Sequence, residues 1–200
     1  MGIKRSRGDR TTRWIVAKQV GQFTLAGLAA AAIVAFATGI ASQRVGEREA
    51  IIDARSTTLL KARGLVLPVL TDGLSTGDPA AVAAIDTVVS RDVLDDSLIR
   101  VKIWRADGTI VYSDEPRLIG TKYVLGEDEV AAIADGLIEA EVSDLSKPEN
   151  RFERDNKKML EVYLPIEAPN GERLLFEAYF RYASVSASGN RIWRNFAPIT

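Results

Sequence analysis

The stretch LEVYLPIEAPNGERLLFEAYFRY, residues 160–182, reads as two strands joined by a tight turn. Leu160, Val162, Leu164 and Ile166 alternate with Glu161 and Tyr163, and Leu174, Phe176, Phe180 and Tyr182 alternate with Glu177, Tyr179 and Arg181. A period of two puts successive side chains on opposite faces of a sheet. Pro169-Asn170-Gly171 lies between the two runs and is a strong hairpin signal, so Met159–Ile166 and Arg173–Tyr182 are predicted to pair. One face is apolar and belongs to a core. The other mixes aromatic and charged side chains, which suits a pocket for a small polar ligand and equally suits a partly exposed sheet face.

Three more strands lie upstream. Ile99, Val101 and Ile103 interleave with Arg100, Lys102 and Trp104, and Asp107-Gly108 turns this strand back into 109–114. Ile138, Ala140 and Val142 alternate with Glu139, Glu141 and Ser143 in another. Between these, 118–126 is a loop, and Glu127-Asp128-Glu129 place acids in the first turn of a short helix that Gly136 closes. Asp78 and Pro79 start an earlier helix, followed by Val82, Ile85, Val89 and Val93 at helical spacing. Residues 44–67 read as a longer helix ended by Pro68. Its Val45, Ile52, Leu59 and Val66 recur every seven residues, a seam for the domain's own sheet or for the same helix of a second copy. SKPENRFERDNKK, residues 146–158, reads as a solvated loop of mixed charge. Five strands with helices before and between them predict an α+β domain, an antiparallel sheet with the N-terminal helices packed on one face.

Ahead of this domain the composition changes. Residues 1–20 carry six basic groups (Lys4, Arg5, Arg7, Arg10, Arg13, Lys18) and one acid, Asp9; removing them from totals of 26 basic and 27 acidic residues leaves 20 and 26. Gln19 to Gln43 contains no charged residue, and Phe23–Ala41 is FTLAGLAAAAIVAFATGIA, long enough to cross a hydrocarbon layer that needs about 20 apolar residues. A basic flank before it and an acidic body after it place the N-terminus in the cytoplasm and the rest outside. The expected layout is a basic cytoplasmic segment at 1–22, a transmembrane helix at 23–41, an exterior domain at 44–190 and the start of a second span at 191–200. Arg191-Ile192-Trp193-Arg194 supplies the interfacial residues for that second span. The alternatives to the anchored reading are a buried core helix, which usually keeps a polar face, and a signal peptide cleaved after Ala37 or Ala41; Met1-Gly2 with Ser6 also formally matches an N-myristoylation signal, but the basic cluster beside it already has a topological explanation. Ala26, Gly27, Ala30 and Ala31 have the small-residue spacing that lets two membrane helices approach.

The chain has no cysteine and no histidine, which removes disulfides, thiolate metal sites, Ser-His-Asp catalysis and phosphorylation on histidine. Gly73 and Gly77 lack phosphate-loop spacing and a following lysine. Asp95-Asp96 and Asp114-Glu115 are acid pairs of the kind usual in solvated turns. Neither catalytic nor metal-binding residues are expected, nor a cofactor. The basic head is better explained by membrane topology than by nucleic acid, because only Trp14 interleaves it with an aromatic ring.

RVKIWRADGTIVYSDEPRLIGTKYVLGEDE at 100–129, the hairpin at 160–182 and RIWRNFAPI at 191–199 together resemble the N-terminal sensor region of histidine kinases from high-GC Gram-positive bacteria. The resemblance covers most of residues 44–200. It implies a PAS-like, Cache-type sensor held between two membrane passages. It further implies phosphorelay signalling to a response regulator through a dimerisation helix and an ATP- and Mg-dependent kinase domain, none of which has a counterpart in these residues. A fragment, a truncated product or a kinase module supplied by another chain would each account for that.

The expected role is therefore signal input. The expected partners are the membrane, an unidentified small molecule, a second copy in a homodimer and, through a kinase module, the response regulator. Candidate ligand contacts are Tyr163, Glu177, Tyr179 and Arg181, which share one parity in the last hairpin, with Lys102, Trp104 and Tyr112 from strands of the same sheet. An adaptor with an exterior domain and a secreted binding protein are the alternative classes.

Overall fold

A computed structural model describes residues 8–156 and 158–182. The basic residues at 1–7 and the expected second span at 191–200 lie outside them. The chain divides into two compact units, Met1–Val45 and Gly46–Thr200.

In the first unit the described residues belong to helix α1, which runs from Gly8 to Lys61. Leu28, Ile33, Val34 and Phe36 are all exposed, Phe36 at 74 %. The Thr38 hydroxyl donates to the Val34 carbonyl at 2.7 Å, so this polar side chain is satisfied within its own helix. Among the described residues this is the one helix long and apolar enough to cross a membrane.

In the second unit the expected α+β architecture is present, and every strand falls where alternation places it. Strands β1 (Leu98–Arg105), β2 (Ile110–Ser113), β3 (Glu139–Ser143), β4 (Met159–Glu167) and β5 (Arg173–Arg181) form one antiparallel sheet in the order β2-β1-β5-β4-β3. Hairpins join β1 to β2 and β4 to β5, and the long-range pairing of β1 with β5 closes the sheet at its centre. Gly108 turns the first hairpin at φ 85°, and a Cβ there would run into the Tyr123 carbonyl, so both backbone angle and space require glycine.

One sheet face is the main core. Val101, Ile103, Leu160, Val162, Leu164, Phe176, Ala178 and Phe180 meet Ala54, Ala62 and Val66 of the α1 region and Ile85, Val89 and Val93 of α2 (Pro79–Val88) and its continuation. The Lys61 ammonium donates to the Val93 carbonyl at 2.5 Å and pairs with Asp95 at 2.6 Å, joining the ends of the two helices. The seven-residue seam is not the face that packs on the domain's own sheet. Val66 is buried and Leu59 packs at the edge, but Ile52 is 67 % exposed, and the packed positions are Ile51, Ala54, Thr58, Ala62 and Val66. A strict seven-residue repeat drifts about 20° per heptad around a straight helix, so it cannot track a flat sheet. Pro68 does not stop the helical path abruptly either: a π-turn at Ala62–Val66 and a 3₁₀ turn at Leu67–Val69 carry the chain past it.

The start of α2 is as read from sequence. Asp78 caps it, its carboxylate accepting from the Ala80 amide at 3.0 Å, and Pro79 occupies the first turn, where an amide hydrogen is dispensable. Asp78→Ala is expected to destabilise the domain by about 1 kcal/mol, with Asp78→Asn close to wild type, as measured by chemical unfolding. Equal losses in both would mean that the cap bond contributes nothing.

Candidate functional site

The opposite sheet face carries two polar rows. Cross-strand register aligns Ser113, Lys102, Glu177, Tyr163 and Glu139 in one, and Arg100, Tyr179, Glu161 and Glu141 in the next. Alternation alone puts these residues on one face, but their burial comes from what lies above them. Helix α3 (Glu127–Asp135) packs Ala132 against Trp104, Tyr163 and Leu175, while Leu145 packs on Met159 and Tyr179. Leu145 is also the one described non-glycine residue with positive φ, 61°, a conformation that costs on the order of 1 kcal/mol and is held here by its burial.

The segment 146–158 departs from its reading as a solvated loop. Glu149, Asn150 and Glu153 are buried at 5 %, 0 % and 1 % exposure, because each faces a partner on the sheet or lies beside one. Lys102 Nζ donates to the Glu149 carbonyl (3.1 Å), Asn150 Oδ1 (2.9 Å) and the Tyr179 hydroxyl (2.7 Å), so each of its three N–H groups has an acceptor. Glu153 forms an ion pair with Arg100 at 2.6 Å and stands 3.8 Å from Lys102, and Asp114 pairs with Arg100 at 2.9 Å. Two cations and two carboxylates thus balance at this end of the layer.

Further along, Trp104 Nε1 donates to Glu177 Oε2 at 2.7 Å, and the Tyr179 hydroxyl lies 2.7 Å from both Glu177 Oε1 and Asn150 Oδ1. Asn150 Nδ2 donates to Glu161 Oε1 at 2.8 Å. The Tyr163 hydroxyl sits between Glu161 Oε2 (2.6 Å) and Glu141 Oε1 (2.7 Å). Lys147 bridges Glu129 (2.8 Å) and Glu141 (3.1 Å) at the rim.

Burial shifts the acids in a consistent direction. It pushes Glu177 up to about 8, opposed by Lys102, and raises Glu161 against its hydrogen bonds from Tyr163 and Ser143. Asp114 is raised by burial despite Arg100. Tyr163 and Tyr179 are held as neutral phenols by burial and by the carboxyls beside them.

Of the expected ligand contacts, Lys102, Trp104, Tyr163, Glu177 and Tyr179 meet in this layer. Tyr112 does not: its register partner is Ile103, so it points into the main core, its hydroxyl 3.2 Å from Asp86 Oδ1. Arg181 is exposed at the last position of β5, apart from the buried rows. Sequence reasoning did not single out Asn150, Glu149 or Glu153, and composition offered no signal for them, since a charged Pro-containing stretch reads as solvent-facing. Glu161 had a signal, its shared parity with Tyr163. Among the described residues no group of His, Cys, Asp and Glu is arranged to hold a metal ion.

No family model matches the sequence, and no match is found among curated proteins. Among solved structures, the crystal structure of the E. coli DcuS sensor domain aligns with a TM-score of 0.40 and 16 % identity, over 68 % of this chain and 98 % of that one.

Proposed function

We propose that this chain is the membrane-anchored input portion of a signalling receptor, with the second unit as an exterior PAS-like sensor domain serving a two-component histidine kinase. The observation that carries the reading is the buried polar layer. Well-packed apolar residues in place of buried ion pairs are often as stable or more so, so the fully buried Lys102 together with buried Glu153, Glu161, Glu177, Tyr163 and Tyr179 points to a use beyond stability. The exposed apolar surface of α1 between residues 27 and 40 supports the anchor, because lipid is the solvent such a surface favours.

In this reading a small polar molecule acts on the layer by competing with Asn150 and the Glu149 carbonyl for Lys102 and Tyr179. It shifts the domain only by its different affinity for the covered and uncovered states. ATP, Mg and the response regulator belong to the kinase module that receives the signal. A second copy meets this one along α1, where Ile52 and Leu60 are exposed. No catalytic role falls to residues of this chain.

Anchoring is checked by mass spectrometry of the mature protein together with alkaline extraction of membranes. The intact N-terminus in the pellet is expected, and a new N-terminus near Thr38 or Ser42 would reject it. Ligand recognition is checked by calorimetric titration of the full chain in lipid nanodiscs with panels of small polar metabolites. Tyr179→Phe, which keeps the ring and removes the hydroxyl, is expected to weaken binding on the order of tenfold, the effect of one lost hydrogen bond. A ligand bound equally well by Tyr179→Phe and Lys102→Gln would place the input site elsewhere.

A further inference from the structure

The hydrogen bonds of the buried layer contain more acceptors than protons when every carboxyl is ionised. The Tyr179 hydroxyl has one proton and two lone pairs. It takes a hydrogen bond from Lys102 and touches Asn150 Oδ1 and Glu177 Oε1, both at 2.7 Å. The amide orientation of Asn150 is set by its neighbours, since reversing it would bring its NH₂ group against the Lys102 ammonium at 2.9 Å. Asn150 Oδ1 can therefore only accept, and it takes the Tyr179 proton. Glu177 Oε1 must then donate to Tyr179, while its Oε2 accepts from Trp104. The contact set closes with a proton on Glu177.

The same count applies one row over. The Tyr163 hydroxyl lies within 2.7 Å of two carboxyl oxygens and has one proton for them. Glu141 also accepts from Lys147 and is only half-buried, so it is the ion. The Tyr163 proton therefore goes to Glu141, and Glu161 Oε2 donates to the Tyr163 oxygen while its Oε1 accepts from the neutral Asn150 amide; Glu161 is fully buried and stands directly opposite Glu141 in the sheet. Opposed like charges destabilise a strand pair, and a proton on Glu161 removes that repulsion.

We propose that Glu161 and Glu177 are neutral carboxylic acids in the folded domain, and that loss of their protons releases segment 147–153 from the sheet, so that the layer is a proton-operated latch. Ionised Glu177 takes the Tyr179 proton, Asn150 Oδ1 loses that bond, and two negative charges then flank the Asn150 side chain. Each remaining charged group has a place that leaves this assignment intact. On β1 and after β2, Arg100 and Lys102 are matched by Glu153 and Asp114. From α3, Glu129 pairs with Lys147, and Asp128 is raised by burial and by Glu141. Glu149 lies buried in the covering segment and meets Lys102 through its main-chain carbonyl.

Burial agrees with this count in direction, holding Glu177 up to about 8. Because that value lies above the ordinary 4.5, the native state keeps a proton that the unfolded chain has already lost between these two values. The Glu177 contribution to stability is complete below pH 4.5, declines as pH rises towards 8, and is constant beyond it.

The proton assignment stands on the contact geometry alone, whereas its signalling consequence rests on the sensor reading above. Infrared difference spectra of the full chain in nanodiscs, titrated from about pH 6 to about pH 10, read the carbonyl stretch of neutral carboxylic acids directly. Wild type is expected to show two such bands at the low-pH end, E177Q to lack the one that disappears with a midpoint near 8, E161Q to lack the other, and E153Q to keep both. Glutamine reproduces the donor of a neutral acid, so E161Q and E177Q should fold. If they do not, hydrogen exchange of 147–156 in wild type, expected to lose protection with the same midpoints, supplies the second readout. Absence of the two bands in wild type at low pH overturns the assignment even where a metabolite binds, and unchanged protection across the titration overturns the latch. A failed search for a metabolite touches neither result.

Discussion

Lys102→Ala is expected to destabilise the domain by about 3–5 kcal/mol, the cost of removing one partner from a buried charge cluster. The ammonium is fully buried, and its loss leaves the Glu149 carbonyl, Asn150 Oδ1 and the Tyr179 hydroxyl each short of a donor, with Glu153 facing a smaller positive charge. The test is denaturant unfolding of the full chain in mild detergent, run alongside Lys102→Met. Methionine restores most of the volume but none of the donors, so it should recover only a small part of the loss. The double variant Lys102→Met with Glu153→Met removes both charges and should be more stable than the sum of the single effects implies. A loss below about 1 kcal/mol in Lys102→Ala would show that the covering segment does not depend on this lysine.

Phe176→Ala is expected to cost a similar amount, about 3–5 kcal/mol, for a different reason. Phe176 lies fully buried on the central strand β5, between Ile103 of β1 and Leu164 of β4, and faces the N-terminal helices. Truncation removes apolar area and leaves a cavity that two paired strands cannot close without breaking register. Calorimetry should show the melting temperature falling by roughly 3 °C for each kcal/mol in a chain of this size. Val124→Ser provides the contrast: Val124 is 94 % exposed, and the substitution should stay within about 0.5 kcal/mol. A small loss in Phe176→Ala would mean that the core relaxes around the missing ring.

The strands were legible because alternation is a local signal that the sheet does not override. Leu160, Val162 and Leu164 turn to the main core and Glu161 and Tyr163 away from it, as their order in the chain requires. The turns at Asp107-Gly108 and Asn170-Gly171 and the cap at Asp78 were legible for the same reason, since each depends on residues within four positions. Alternation also located six of the seven proposed contacts on one face, five of them in the buried layer and Arg181 at its exposed end. Tyr112 escaped because an irregularity in the β1–β2 pairing between Ile103 and Trp104 sets its register, and that belongs to the pair of strands together. The α1 repeat does not trace the face packed on the sheet, because a seven-residue repeat records spacing along a helix whereas the sheet selects a face with the helix's own period; the alternative of a seam for a second copy is untouched by this.

The sequence by itself determined the order of strands and helices, the apolar face of the sheet, a stretch able to cross a membrane, and the lack of histidine and cysteine chemistry. Each is written in the spacing or identity of neighbouring residues. Only the tertiary structure decided that β5 lies between β1 and β4, and that 144–156 folds back over the second face. Only it turned a row of polar side chains into a buried layer with two surplus carboxyls. The physical reason is that burial and protonation depend on groups brought together from distant positions. Asn150 reaches Lys102 across 48 residues and Glu177 reaches Trp104 across 73, and no local pattern records either meeting.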